Sequence, residues 1–304
     1  MTDKISVARI LCPVDLSVPS RRALDVAVGL ARWYGSSITV LRVVPPVLPT
    51  VGVAGELDFS VLPSITPDLN RVRDVTASFA AHEAGGPPMD VVVVEGDVSS
   101  EIAAQARQLP ADLIVIGTHG HRGFDRLMLG SATERVLRTA PCPVLTVPAG
   151  APDAVPIAPG LFKRIICGLD FSPESHAALR FAASIASEAD ADLTVAHVVE
   201  HVPLWPLPVA GIDSDTMMRR ACEDAASALH AAIDDDAREY ARVEELVLSG
   251  KPYRKLLELA EERQADLLVV GAHGGRAPLP HFGSTANQLV RSASCPVLTL
   301  RSRE

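Results

Sequence analysis

The chain has 304 residues, 48% of them hydrophobic and 21% charged, with a formal charge of −9, which fits two folded domains of roughly 100–200 residues each. The acidic balance, with no run of Lys or Arg, argues against a protein that neutralises nucleic-acid phosphates. Asp3, Lys4, Arg9 and Asp15 interrupt the N-terminal region before any apolar stretch is long enough for a signal peptide or a membrane span, so a cytoplasmic protein with neither nucleic acid nor membrane as partner is expected.

Only 4% of residues are aromatic, so Val, Leu, Ile and Ala must fill the core, as they do where parallel strands lie under small-residue helices. In chain order, Arg9–Val14, Ser37–Val43, Asp90–Glu95, Leu113–Gly117 and Val144–Val147 read as strands separated by amphipathic segments, the pattern of βαβ units. Between the first two, Ala23, Ala27, Leu30 and Ala31 repeat at helical spacing and Gly35 ends the segment; Ser99 is the expected N-cap of a helix running to Leu109. A second set follows: Arg164–Leu169, Asp192–Val198, Val243–Leu248, Leu267–Gly271 and Val297–Leu300. After the second strand of each set come Val47–Asn70 and Val202–Thr216, rich in Pro and apolar residues without a clean period, which read as surface loops, lids or partner surfaces.

The two sets are copies. Arg9-Ile10-Leu11-Cys12-Pro13-Val14-Asp15-Leu16-Ser17 matches Arg164-Ile165-Ile166-Cys167-Gly168-Leu169-Asp170-Phe171-Ser172 at an offset of 155 residues. Gly96 and Gly250, then Gly117 and Gly271, match at 154, and Cys142-Pro143-Val144 matches Cys295-Pro296-Val297 at 153. An offset that drifts by two residues over a whole domain means a duplication. The reading is therefore α/β: domains 1–148 and 161–304, joined by a Pro- and Ala-rich linker over 149–160. Cys12, Cys142, Cys167, Cys222 and Cys295 are odd in number and lack metal-ligand spacing, so they read as free thiols in a reducing compartment.

In copy one the strand Leu113–Gly117 runs into Thr118-His119-Gly120, crosses His121–Leu129, and reaches Gly130-Ser131 just before the helical segment Ala132–Thr139. Glycine lets a backbone approach a phosphate closely, and a helix N-terminus offers unpaired N–H groups and a favourable dipole. Gly117, Gly120, Gly130 and Ser131 fit Gly-x2-Gly-x9-Gly-Ser/Thr, and in this the chain resembles the universal stress protein family, whose ATP-binding members carry that pattern. The resemblance spans nearly the whole chain. It implies two tandem open-sheet, mostly parallel five-stranded nucleotide-binding domains of the HUP or Rossmann-like kind, with ATP as ligand and Mg²⁺ carried in on its phosphates. It further implies that Pro13, Val14 and Asp15 lie beside the adenosine, that Val43 meets adenine through its backbone, and that Gly117, Gly120, Gly130, Ser131 and Ala132 hold ribose and phosphates. For Asp15, the residues alone leave a second reading open, an N-terminal cap of the following helix.

In copy two the corresponding residues are Asp170, Val198, Gly271, Gly274, Gly283 and Ser284, but Gly274 and Gly283 enclose eight residues rather than nine, with Pro278 and Pro280 among them. A phosphate loop shortened and stiffened by proline converges its N–H groups less well. Residues 1–150 carry 13 basic and 15 acidic side chains, against 15 and 22 in 151–304. Arg122 and Arg126 stand within the copy-one loop and Arg135 just beyond it, placed either to hold an anion or as solvated surface, with only Arg276 in the matching loop. Asymmetric nucleotide binding is expected. His119 and His273 stand between the first two glycines of each copy, but no nucleophile or second base at fixed spacing accompanies them, and His121, His281 and Asp125 form no four-ligand metal set. Neither a catalytic nor a metal site is assigned.

The leading reading is thus an ATP-binding regulatory or stress-protective protein. A slow ATPase or ATP-using transferase is the enzymatic alternative; Gly250-Lys251 is followed by Pro252, so no Walker loop supports it. A nucleotide-free scaffold is the third. Family members that the chain resembles dimerise through the last strand, which implies an internal pseudo-dimer through Val144–Val147 and Val297–Leu300, and leaves a homodimer of whole chains open.

Overall fold

The computed structural model describes residues 5–46, 68–81, 86–118, 129–150, 162–200, 214–273 and 282–301. Copy one runs β1 (Arg9–Pro13), α1 (Val18–Tyr34), β2 (Ser37–Val44), α2 (Leu69–Ala80), β3 (Met89–Glu95), α3 (Val98–Gln108), β4 (Leu113–Gly117), α4 (Ser131–Thr139) and β5 (Val144–Val147). Copy two runs β6 (Arg164–Gly168), α5 (Pro173–Ala189), β7 (Asp192–Val199), α6 (Ser214–Ala232), α7 (Asp235–Tyr240), β8 (Arg242–Ser249), α8 (Pro252–Glu262), β9 (Leu267–Gly271), α9 (Ser284–Ser292) and β10 (Val297–Leu300). All ten expected strands are present. The loop segments after β2 and β7 yield the first residues of α2 and α6; their remainders, 47–67 and 202–213, lie outside the described residues.

The strands form one sheet in the order β3-β2-β1-β4-β5-β10-β9-β6-β7-β8. Pairing is parallel within each copy and antiparallel only at the β5–β10 seam. There Thr146 Oγ1 donates to the Val297 carbonyl at 3.1 Å and Thr299 Oγ1 to the Val144 carbonyl at 3.2 Å, reciprocal bonds that give the seam two-fold character. Because side chains alternate across a strand, the core divides by sheet face rather than by copy. Ile10, Cys12 and Leu145 join Ile165, Cys167 and Leu298 in one cluster with α1 and α5. Leu11, Ile114 and Val144 join Ile166, Leu268 and Val297 in the other, with α3, α4, α8 and α9.

Helix ends follow local chemistry. Ser17 caps α1, accepting from the Ser20 N–H, and Gly35 closes it with φ of 69°, a left-handed conformation that glycine adopts without strain. Ser172 caps α5 in the same way. The cap of α3 is Asp97, not Ser99: Asp97 accepts from the Ser100 N–H at 3.0 Å and from the Ser99 hydroxyl at 2.7 Å. A carboxylate one residue outside the helix reaches the first-turn donors, whereas Ser99 already lies within it. Among the described residues, no helix is long and apolar enough to cross a membrane.

Candidate functional site

In each copy the chain crosses from one side of the sheet to the other between its first and fourth strands, β1 beside β4 and β6 beside β9. Such a switch point leaves a crevice beyond the carboxyl ends of the strands, where open α/β sheets hold ligands. Pro13 ends β1 with Val14 and Asp15 following; Val43 lies one residue before the end of β2, and Gly117 ends β4. Gly130 is the N-cap residue of α4, and Ser131 and Ala132 are its first two residues. Gly120 and Gly274 lie outside the described residues, as do His119, His121, Arg122, Asp125, Arg126, Arg276, Pro278, Pro280 and His281.

The geometry is most complete in copy two. A cavity of about 640 Å³ there is lined by Asp170, Val198, Gly271, Gly283 and Ser284, every described copy-two residue expected at the site, with His273 and Leu256 among the others. That volume is in the range of small-molecule and cofactor sites. Gly283 N–H donates to the Ala272 carbonyl at 2.8 Å, which docks the start of α9 against the end of β9. The N-cap residue of α9, Gly283, makes no side-chain cap bond, which leaves the first-turn N–H groups beside the cavity without that acceptor. His273 is half-buried, and its imidazole is held below the ordinary histidine value, first by burial and then by the charge of Arg301, with Glu174 opposing.

Copy one repeats this framework. Gly130 N–H donates to the Thr118 carbonyl at 2.9 Å, Thr133 Oγ1 to the Gly117 carbonyl at 3.0 Å, and α4 also begins without a side-chain cap. Gly130 has φ of −59° and ψ of 135°, which any residue adopts. Among the described residues, a Cβ there would meet ordinary contacts, 3.4 Å from the Thr118 carbonyl oxygen and 3.7 Å from Thr133 Oγ1. Neither its backbone nor the packing of the described residues demands glycine, and among those residues it leaves the helix N-terminus open. Gly271 differs: a Cβ would stand 2.9 Å from the Ser175 backbone nitrogen, so this glycine permits β9 to pack on α5.

Asp15 does not cap α1 directly. Its Oδ1 accepts from the Ser17 N–H at 3.0 Å and from the Ser17 hydroxyl, and Ser17 is the cap. Asp170 does the same, accepting from the Ser172 N–H at 3.1 Å and the hydroxyl at 2.6 Å. Between acid and serine, Leu16 and Phe171 take φ of 68° and 63°, a left-handed strain of about 1–3 kcal/mol that persists only when neighbours enforce it. The Asp-x-Ser spacing was visible in both copies; the strain was not, since neither Leu nor Phe signals a left-handed position. Sequence reasoning also missed the side chains that fix the carbonyl before each acid. Arg42 Nη1 donates to the Val14 carbonyl at 3.2 Å, and His197 Nδ1 to the Leu169 carbonyl at 2.7 Å. Burial lowers the Arg42 guanidinium from its ordinary value while the charge of Asp15 acts the other way. Arg135, one of the expected anion holders, is exposed and faces Asp97 at 3.6 Å.

Comparison with known proteins accords with the repeated framework. The model of the universal stress protein family matches residues 7–148 and again 161–301. Universal stress protein Rv1996 of Mycobacterium tuberculosis is 27% identical over 310 residues, covering 96% of this chain and 94% of its own. Universal stress protein A homolog 1 of Coxiella burnetii is 30% identical over 148 residues, 47% of this chain and 99% of its own. Among solved structures, a universal stress protein from Archaeoglobus fulgidus superposes with a TM-score of 0.62 at 22% identity, covering 97% of both chains, a likeness of fold.

Proposed function

Because the chain belongs to the universal stress protein family and carries its domain twice, we propose that it is an ATP-binding regulatory protein in which bound nucleotide stabilises one conformation or assembly state. The observation that carries this reading is the convergence of Asp170, Val198, Gly271, Gly283 and Ser284 on one cavity of about 640 Å³, with an equivalent framework at the copy-one switch point. The donor set suits a nucleotide. The uncapped start of α4 offers N–H groups and a positive dipole end to phosphate, and the space kept by Gly130 admits that phosphate close to the backbone. The Asp15 carboxylate, an acceptor-only group with two oxygens, suits ribose hydroxyls, and the end of β2 at Val43 suits an adenine edge. Mg²⁺ would arrive on the phosphates.

Copy one, with the full glycine spacing, is the stronger site. The β5–β10 seam supports an internal pseudo-dimer, and the buried thiols of Cys12, Cys167 and Cys295, none of them in a disulfide, support a reducing, cytoplasmic setting.

The test is the nucleotide content of the purified chain, released by denaturation and resolved by anion exchange. About one ATP per chain is expected, and two would show that the shorter copy-two loop also works. ADP would favour hydrolysis. A chain that is empty and ignores added Mg-ATP would overturn the proposal in favour of a scaffold.

A further inference from the structure

The last described residue of copy two reaches across the seam. Arg301 Nη2 donates to the Leu137 carbonyl at 3.1 Å and to the Arg138 carbonyl, among the last carbonyls of α4, which lack intrahelical partners. Cationic groups are favoured at that end of a helix. At nine residues, α4 is only about 14 Å long, so holding its C-terminal end constrains its N-terminal end, where Gly130 and Ser131 open on the copy-one crevice. A second contact acts on the same helix: Arg291 Nη2 donates to Glu134 Oε2 at 3.2 Å.

Arg301 also belongs to the frame of the copy-two cavity. It directly follows Leu300, whose carbonyl accepts from the Ala272 N–H at 2.6 Å, and Ala272 lies between Gly271 and His273, both of which line that cavity. The arrangement is one-sided. The residue of copy one in register with Arg301 is Pro148, which has no side-chain donor to offer α9.

We propose that Arg301 is a positioning residue that couples the two crevices, holding the helix that opens on the copy-one site from the strand end that frames the copy-two cavity. The proposal rests on nucleotide binding at copy one. It makes that site dependent on copy two, and by linkage a change at either crevice is felt at the other.

The experiment uses the full chain with Gly283→Val, which closes the copy-two crevice so that ATP enters copy one alone. ATP affinity is measured by calorimetry and the His273 ring is followed by NMR. ATP is expected to shift the His273 signal. In that background Arg301→Gln should weaken ATP binding roughly 5-fold and abolish the shift, while Arg301→Lys, which keeps a charged donor, recovers some of each. A folded Arg301→Gln chain with unchanged affinity and an unchanged His273 response would overturn the coupling. So would an Arg301-containing chain in which saturating ATP leaves His273 unmoved, whatever the variants do. Absence of any ATP isotherm in the unsubstituted chain would instead overturn the nucleotide reading, and the coupling with it.

Discussion

At the end of its first strand, copy one has Pro13 where copy two has Gly168. Pro13 has no N–H to give, and β1 pairs with β4 only at Ile10 and Leu11, whereas β6 follows β9 as far as Gly168. The copy-one ladder therefore ends two residues earlier, about 7 Å along the strand direction. Gly168 in turn allows close packing, since a Cβ there would stand 3.0 Å from Leu256 Cδ1 and 3.1 Å from Val270 Cγ1. Two crevices of one ancestry thus differ below the ligand level: one loses a ladder bond through a missing hydrogen-bond donor, the other permits close packing through a missing side chain. Matching positions in a duplicated chain need not share a physical task.

The sharpest way to break this comparison is at the glycines. Gly130→Val should leave the fold intact and cost at least about 100-fold in ATP affinity at copy one, roughly 2.7 kcal/mol, while Gly283→Val should cost the chain less. Calorimetric titration of both variants decides it, and equal losses would remove the asymmetry. Next in size, Gly271→Ala should destabilise the chain by about 1–3 kcal/mol, since its Cβ collides with the backbone of α5; Gly130→Ala should be close to neutral in the same urea titration. If both cost alike, the division between a packing glycine and a space-keeping glycine fails.

Smaller effects test the shared features. Asp15→Ala and Asp170→Ala should each lose about 1 kcal/mol of stability, because both release the serine that caps the following helix, and Asp15→Ala should additionally weaken ATP binding. A denaturation series with parallel binding data separates the two contributions. The smallest contrast is in pH. The Asp97 carboxyl is pulled down to about 2 by the Ser99 hydroxyl, then by the Ser100 N–H and hydroxyl. A depressed carboxylate stabilises the fold above its ordinary value near 4 and loses that contribution as pH falls toward 2. At the matching place copy two has Lys251, with no side-chain cap bond. Protection factors at the start of α3 should therefore fall between pH 4 and 2 while those at the start of α8 do not follow, as hydrogen exchange at stepped pH would read.

Much of the fold was legible in the residues. Apolar runs of Val, Ile and Leu bounded by polar segments located every strand, and Gly35 marked the end of α1 because a left-handed residue is needed there. Boundaries slipped where chemistry is ambiguous over one or two positions, as with Asp97 and Ser99. Of the candidate site, the acids and glycines were legible through their repetition, but the partners were not. Arg42 stands 27 residues from Asp15 and Arg301 lies 163 from Arg138, and no local pattern marks such pairs.

By itself the sequence determined the duplication, the strand-helix alternation and the glycine spacing, since each depends on residues close together in the chain or on one stretch repeating another. The tertiary structure alone decided that the cores divide by sheet face rather than by copy, that Gly271 serves packing, and that a residue of copy two holds a helix of copy one. Those outcomes depend on which surfaces meet, and contacts between distant segments are set by the packing of whole elements rather than by any single run of side chains.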